Sequence, residues 1–207
     1  MATKPVTSQP KASTRDRICA AGKELFVERG YEGVSIEEIA RKACVSKPTL
    51  YAHFGSKERL FLEILEETCD NIVAPFFGPE VDGLPIEDVL IVHARAYARA
   101  LLTPEMLALN RLIVAEAPRF PEMARRYYAA GPAIVYAAVA SFLQKRVAAA
   151  EIACADCMAA ARMYGAMIVS PTRLRLNLLV DTELNWTEID RQSALAVQIF
   201  VNGLRKR

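Results

Sequence analysis

One short stretch of the chain combines residue types at a spacing that suits a chemistry. Lys47, Pro48, Thr49, Tyr51 and His53 would share the outer side of a short helix whose inner side is Leu50 and Phe54, and Lys57 follows. These are small or hydrogen-bonding side chains, with no carboxylate between positions 47 and 54. Such a face is acceptable in a major groove, where the leading residues of a helix meet base edges. Ser35, Ser46 and Ser56 head three successive helical patterns. The free amides of a helix N-terminus can each meet a phosphate.

Other chemistry is poorly supported. His53 and His93 are the only histidines, so there is no basis for a histidine metal site. Cys154 and Cys157 form a lone C-x-x-C, and structural zinc needs two further ligands. Its plain reading is two small apolar residues at a helix start, and the competing one is redox sensing through this pair or Cys44. There is no Gly-rich phosphate loop, G-x-S-x-G or repeated carboxylate–histidine spacing. No catalytic residue, metal or cofactor is therefore expected, and the chain is read as not an enzyme.

The elements that must position this face are helical. Residues 1–13 are polar, contain two prolines and lack periodicity, so they are expected to form a disordered tail. A first helix is predicted over 14–29, with Ile18, Ala21, Leu25 and Phe26 inward and Gly30 ending it. A second spans about 35–43, opening on the capping box Ser35-Ile36-Glu37-Glu38, and a third spans about 46–54 with Ser46 as cap. Ala40 lies at their crossing, Cys44-Val45-Ser46 makes the turn, and Ile36, Ile39, Ala43, Val45 and Leu50 have inward spacing. A fourth helix runs from Ser56 to about Val73, where Pro75 stops it. Residues 76–84 read as a loop. Helices are then expected at about 85–102, 104–117, 121–151 (divided at Gly131-Pro132), 155–180 (broken or bent at Pro171) and 187–205, capped by Thr187.

The composition of these 207 residues fits an all-α globular chain with 33 alanines against 9 glycines. The net charge of +2 hides a split: residues 1–60 carry +4 and residues 61–207 carry −2. Only the amino-terminal quarter suits a polyanion, and only weakly. No apolar run reaches membrane-span length and no signal peptide opens the chain, so a soluble, cytoplasmic protein with no membrane partner is expected. Five irregularly spaced cysteines point to reduced thiols.

Residues 14–62 resemble the DNA-binding domain of the TetR/AcrR family of bacterial regulators. The matching residues are Arg15-Asp16-Arg17-Ile18, Leu25-Phe26, Gly30-Tyr31-Glu32-Gly33, Ser35-Ile36, Ile39-Ala40, Val45 through Tyr51, His53-Phe54 and Lys57-Glu58. The remainder resembles the AefR-like subgroup more loosely, through Glu116-Ala117-Pro118-Arg119-Phe120-Pro121 and Phe200-Val201-Asn202-Gly203-Leu204-Arg205. The resemblance implies a three-helix DNA-binding domain at 14–60 with a helix-turn-helix, then an effector-binding and dimerisation domain at 61–207. It also implies Lys47, Pro48 and Thr49 as base readers, and Tyr51, His53, Lys57 and Ser35 as holders of phosphate. One departure is Cys44, standing where the family prefers glycine in the turn.

The expected function is a homodimeric, ligand-responsive transcriptional regulator, a repressor released from a palindromic duplex operator by a small, largely apolar effector. One small helix-turn-helix buries too little surface for strong specific binding, so two must act together. The resemblance puts the dimer interface on the last two helices, and Leu195, Ile199 and Phe200 share a face of the final one. Candidates for the effector pocket are Phe77, His93, Tyr97, Met106, Asn110 and Ile113, with Tyr128, Met163, Tyr164 and Met167 from later helices. Phe76, Leu109 and Tyr136 are further candidates. Each has ordinary core as its bland alternative, and the polar members are favoured because an apolar pocket needs groups to orient its ligand. Two rivals stay open: a regulator switched by thiol oxidation through the same DNA module, and an all-helical enzyme or ligand carrier.

Overall fold

The computed structural model describes residues 13–70 and 77–205. Residues 1–12 of the expected tail at 1–13, Pro75 and Phe76, and the expected end of the fourth helix near Val73 lie outside them; Ser13 belongs instead to the first helix as its N-cap. The chain divides into two compact units, Met1–Ile64 and Leu65–Arg207. Helices dominate both, and no strand occurs among the described residues.

The first unit holds α1 (Thr14–Arg29), α2 (Ile36–Lys42), α3 (Lys47–Phe54) and the start of α4 (Lys57–Asp70). Its helix starts are set by hydroxyl caps. Ser13 Oγ accepts from the Asp16 amide at 3.1 Å while Asp16 accepts from the Ser13 amide at 2.9 Å. Ser35 and Glu38 repeat the reciprocal box, and Ser46 and Ser56 accept from the Thr49 and Arg59 amides. The helices close on a core of Ile18, Leu25, Phe26, Ile39, Leu50 and Phe61. Phe26 meets Phe61 edge to face at 4.9 Å and Tyr31 at 5.7 Å. Ile36, Ala40 and Ala43 are buried as expected, while Val45 is half-buried at the turn.

The turn between α2 and α3 explains the Cys44 departure. Cys44 adopts φ +54°, its amide bonds Arg41 O at 3.2 Å and the Val45 amide bonds Ala40 O at 3.0 Å. This is the Schellman closure, which puts the first residue past the C-cap in the left-handed region. A side chain there costs energy that glycine would not. The same closure recurs after two helices of the second unit, at Ala150 (φ +60°) and Leu179 (φ +56°).

The second unit contains a 3-10 turn at Pro79–Val81, inside the stretch expected to be plain loop. It is followed by α5 (Ile86–Leu101), α6 (Pro104–Glu116), α7 (Pro121–Ala130), α8 (Pro132–Ala148), α9 (Cys157–Asn177) and α10 (Trp186–Leu204). Buried Arg146 ties the 3-10 turn to α8, donating to Val81 O at 3.0 Å while pairing with Glu151. Leu90, Ala94, Leu143, Ala161, Ile168 and Val197 form the core between α5, α8, α9 and α10. Arg99 clamps α5 to α10 through a bidentate pair with Asp190, both bonds 2.8 Å.

Two expectations need correction. α9 runs unbroken through Pro171, because burial of Ile168, Val169 and Leu176 holds helix on both sides of the lost amide. α10 is capped by Asn185, whose Oδ1 accepts from the Glu188 amide at 3.1 Å, and not by Thr187. Asparagine is at least as good an N-cap, and starting there brings Trp186 under the Arg99 guanidinium, 5.3 Å from the ring.

Candidate nucleic-acid interface

The outer side of α3 is built by what its inner side buries. Leu50 and Phe54 point into the unit's core, so Lys47, Pro48, Tyr51 and His53 project outward and Thr49 lies at the margin. Tyr51 is 43% exposed, a large exposure for an aromatic side chain. Pro48 in the first turn of α3 sits where an amide would be unpaired, and Ser46 accepts from the Thr49 amide at 3.2 Å. The Ser46 and Thr49 hydroxyls also lie 2.7 Å apart, which fixes the side chain of one expected base reader.

Ser35 is committed to its own helix. Its hydroxyl accepts from the Glu38 amide and donates to Glu38 Oε2 at 2.8 Å, so a phosphate arriving there would meet the first amides of α2 rather than the hydroxyl. The Ser35 backbone N–H, then its hydroxyl, holds the Glu38 carboxyl below the usual range. Lys57 packs its ammonium 4.3 Å over the Tyr31 ring, which orients it without cancelling its charge.

Sequence reasoning missed Glu37. Its carboxylate bonds the Lys47 ammonium, so an expected base-reading cation is held by an acid on the neighbouring helix. The hydrogen bond to Lys47 lowers the Glu37 pKa, and the same bond raises that of Lys47. The two residues are ten apart on different helices, and no single-helix periodicity marks such a pair. Cys44 is exposed beside this surface.

The second unit contains a cavity of about 90 Å³ between α5, α6, α7, α8 and α9. Tyr97 and Met106 are the pocket candidates that line it, together with Tyr136. Sequence reasoning missed Tyr127, Gly165, Ser170 and Arg173; a glycine inside α9, at a point of close packing, was the available signal. The other candidates lie elsewhere. His93 and Tyr164 form a buried relay, with His93 Nδ1 2.8 Å from Tyr164 Oη, which donates to Leu90 O at 2.9 Å. Phe77 stacks on Phe142 at 4.6 Å, and Ile113 and Leu109 are core. Asn110 and Met167 are half-buried away from the cavity lining, while Tyr128 and Met163 are exposed. Phe200 packs on Tyr164 at 5.3 Å and is only 8% exposed, whereas Leu195 and Ile199 stand out on α10.

A short capped helix presenting polar residues after a tight turn, ahead of a larger all-helical unit, defines a helix-turn-helix protein with a separate second unit. Residues 18–64 match the family model for bacterial regulatory proteins of the tetR family, and residues 88–203 match that for the AefR-like transcriptional repressor C-terminal domain. The chain belongs to the TetR family, with a C-terminal unit of AefR-like type.

Among curated relatives, the HTH-type transcriptional activator FasR of Mycolicibacterium smegmatis is 45% identical over 65 residues, 31% of this chain and 30% of that protein. The HTH-type transcriptional regulator UidR of Escherichia coli is 31% identical over 111 residues, 54% of this chain and 55% of that protein. The chain thus spans about a third to a half of the length of these relatives. Solved structures match throughout. A putative TetR-family transcriptional regulator from Mesorhizobium loti superposes with TM-score 0.83 at 29% identity, over 96% of this chain and all of that one. The Flavonoid-responsive Regulator FrrA does so with TM-score 0.80 at 29% identity, over 94% and 98%.

Proposed function

We propose that this protein is a homodimeric, cytoplasmic transcriptional regulator that binds a two-fold-symmetric duplex operator and releases it when a small, largely apolar molecule occupies its second unit. The observation that carries the DNA reading is the α3 face: Lys47, Pro48, Thr49, Tyr51 and His53 outward, preceded by the serine-capped starts of α2 and α3 and followed by Ser56, which caps α4, and Lys57. Lys47, Pro48 and Thr49 lead the helix and read bases; Tyr51, His53, Lys57 and the amide ends behind Ser35 and Ser46 hold phosphates. Repression is the sign favoured by the description of the C-terminal family model, although one relative, FasR, is named an activator.

Dimerisation is supported by apolar residues that the isolated chain leaves uncovered on α9 and α10. Met163 and Leu174 share a face of α9, Leu178 follows at its C-cap, and Leu195 and Ile199 share a face of α10, at 47% and 55% exposure. The cavity in the second unit gives the effector a place, and the neighbour FrrA is named a flavonoid-responsive regulator. Membrane attachment is not needed: no described helix is long and apolar enough to cross a bilayer. The thiol-switch reading finds little support at Cys157. Burial first, and the hydrogen bond to Cys154 second, push its thiol pKa up, which disfavours the reactive thiolate.

Selection of bound duplexes from a random pool tests the proposal. Two inverted half-sites are expected, with Tyr51→Phe and Lys57→Ala weakening all duplexes alike and Lys57→Ala lowering the salt slope by about one. Failure to enrich any sequence at any salt would overturn the regulator reading.

A further inference from the structure

Resting on the reading of α3 as the helix that meets DNA, we propose that Glu37 is a specificity-determining residue: with Lys47 it forms one donor–acceptor unit that reads a G·C base pair in each half-site. Between Ser35 and Lys57 the chain has two carboxylates, Glu37 and Glu38. Glu38 is engaged locally, accepting from the Ser35 amide at 2.9 Å and hydroxyl at 2.8 Å and pairing with Arg29 at 3.1 Å. Glu37 has a different partner. It stands exposed in the first turn of α2 and bonds the ammonium of the first residue of α3.

The fold does not need this bond. Buried Ile39, Ala40 and Leu50 and the turn bonds from the Cys44 and Val45 amides already set α3 against α2. An ion pair between two exposed side chains adds little to stability. A carboxylate beside a surface that meets phosphates repels them, so it weakens binding unless the duplex offers it a donor.

The count of donors selects the base pair. An ammonium has three N–H groups, and Glu37 occupies one. The Tyr51 ring, with its centroid 5.9 Å from Lys47 Nζ, attracts the charge from a second side. Two N–H groups remain, and in the major groove guanine presents two neighbouring acceptors, N7 and O6. The carboxylate keeps lone pairs, and the cytosine of the same pair presents its N4 amino donor. An A·T pair matches less well, because adenine sets an amino donor beside N7 and one N–H of the ammonium then faces a donor. The bond lowers the Glu37 pKa and raises that of Lys47, so both charges persist at neutral pH. It also restrains a flexible lysine stem and keeps its ammonium from the phosphates.

The test is duplex selection with the full-length parent, Glu37→Ala, Lys47→Ala and the double variant, each verified as folded by circular dichroism. The parent motif should hold G·C at the position that Lys47→Ala relaxes. Glu37→Ala should relax the same position by about threefold per half-site, hence about tenfold over a two-fold-symmetric operator. It should bind random-sequence duplex at least as tightly as the parent, a result that a merely structural role would not give. The double variant should lose less than the product of the two single losses, because each residue needs the other. An A·T pair at that position, independent multiplication of the two losses, or equal weakening of random and selected duplexes by Glu37→Ala would overturn the inference. Two outcomes separate it from the reading beneath it. If the parent enriches no duplex, the reading of α3 falls and the inference with it. If Lys47→Ala relaxes a position and Glu37→Ala relaxes none, the reading stands and the inference alone falls.

Discussion

Acidification should destabilise this protein through one histidine. His93 is 2% exposed and surrounded by the rings of Phe77, Tyr97 and Tyr164, and its Nδ1 lies 2.8 Å from the Tyr164 hydroxyl. That hydroxyl already donates to Leu90 O, so it accepts from an Nδ1–H, which fixes the tautomer of the neutral ring. Burial accordingly lowers its pKa from 6.5 to about 4. Between those values the unfolded chain binds more protons than the folded one, and stability falls as pH falls. Lowering pH from about 7 to 5 should remove about 2 kcal/mol of roughly 3 kcal/mol lost in full below pH 4. Urea unfolding at a series of pH values measures the slope. His93→Asn, whose amide can still donate to the Tyr164 hydroxyl but does not titrate, provides the comparison. It should start less stable and lose about 2 kcal/mol less over the same interval. Parallel pH profiles for the two proteins would refute the reasoning, because every other titrating group is common to both.

Three further outcomes are expected. Glu37→Gln should free Lys47 at the duplex-facing surface and steepen the log–log salt dependence of binding to random-sequence DNA by about 0.9 per protomer, measured by fluorescence anisotropy; an unchanged slope would place Glu37 away from the DNA. Cys44→Gly should raise unfolding free energy by roughly 0.5–1 kcal/mol by relieving the φ +54° turn, less what glycine adds to unfolded-state entropy, and a lowered melting temperature would contradict the strain. Ile199→Asp should give a folded monomer without specific operator binding, since a carboxylate in an apolar interface goes unpaired; light scattering that still shows a dimer of undiminished DNA affinity would move the interface off α10.

The sequence made the first unit legible because its signals are local. Hydroxyl caps at Ser35 and Ser46, the glycines after α1 and α3, and the inward spacing of Ile36, Ile39 and Leu50 each act within a turn or two of helix, and the structure keeps all of them. Even the tension at Cys44 could be read, since the turn demands a backbone that glycine adopts freely. The second unit is less legible because its decisive contacts join distant positions. His93 and Tyr164 are 71 residues apart, and Arg99 finds Asp190 across 91. Periodicity marks such residues as inward or outward without saying whether they meet one another or an empty space. Polar groups on large side chains therefore nominated His93 and Tyr164 for the effector pocket, and a shared helix face nominated Phe200 for the dimer interface, although Tyr164 packs against both of the others. Gly165 and Arg173, which line the cavity, are not singled out, because helical periodicity does not say which neighbours leave a space. Pro171 misled in the opposite sense, because tertiary packing kept α9 helical where local rules favour a break.

The central claim is that the front of α3 reads DNA sequence. Its most direct test is to repeat the duplex selection with Lys47→Ala and Thr49→Ala beside the parent protein. Each variant should recover the same symmetric spacing of half-sites but lose preference at its own base position, at a cost of about 1–3 kcal/mol against the parent's best duplex. Recovery of the parent motif unchanged at every position by both variants would contradict the account.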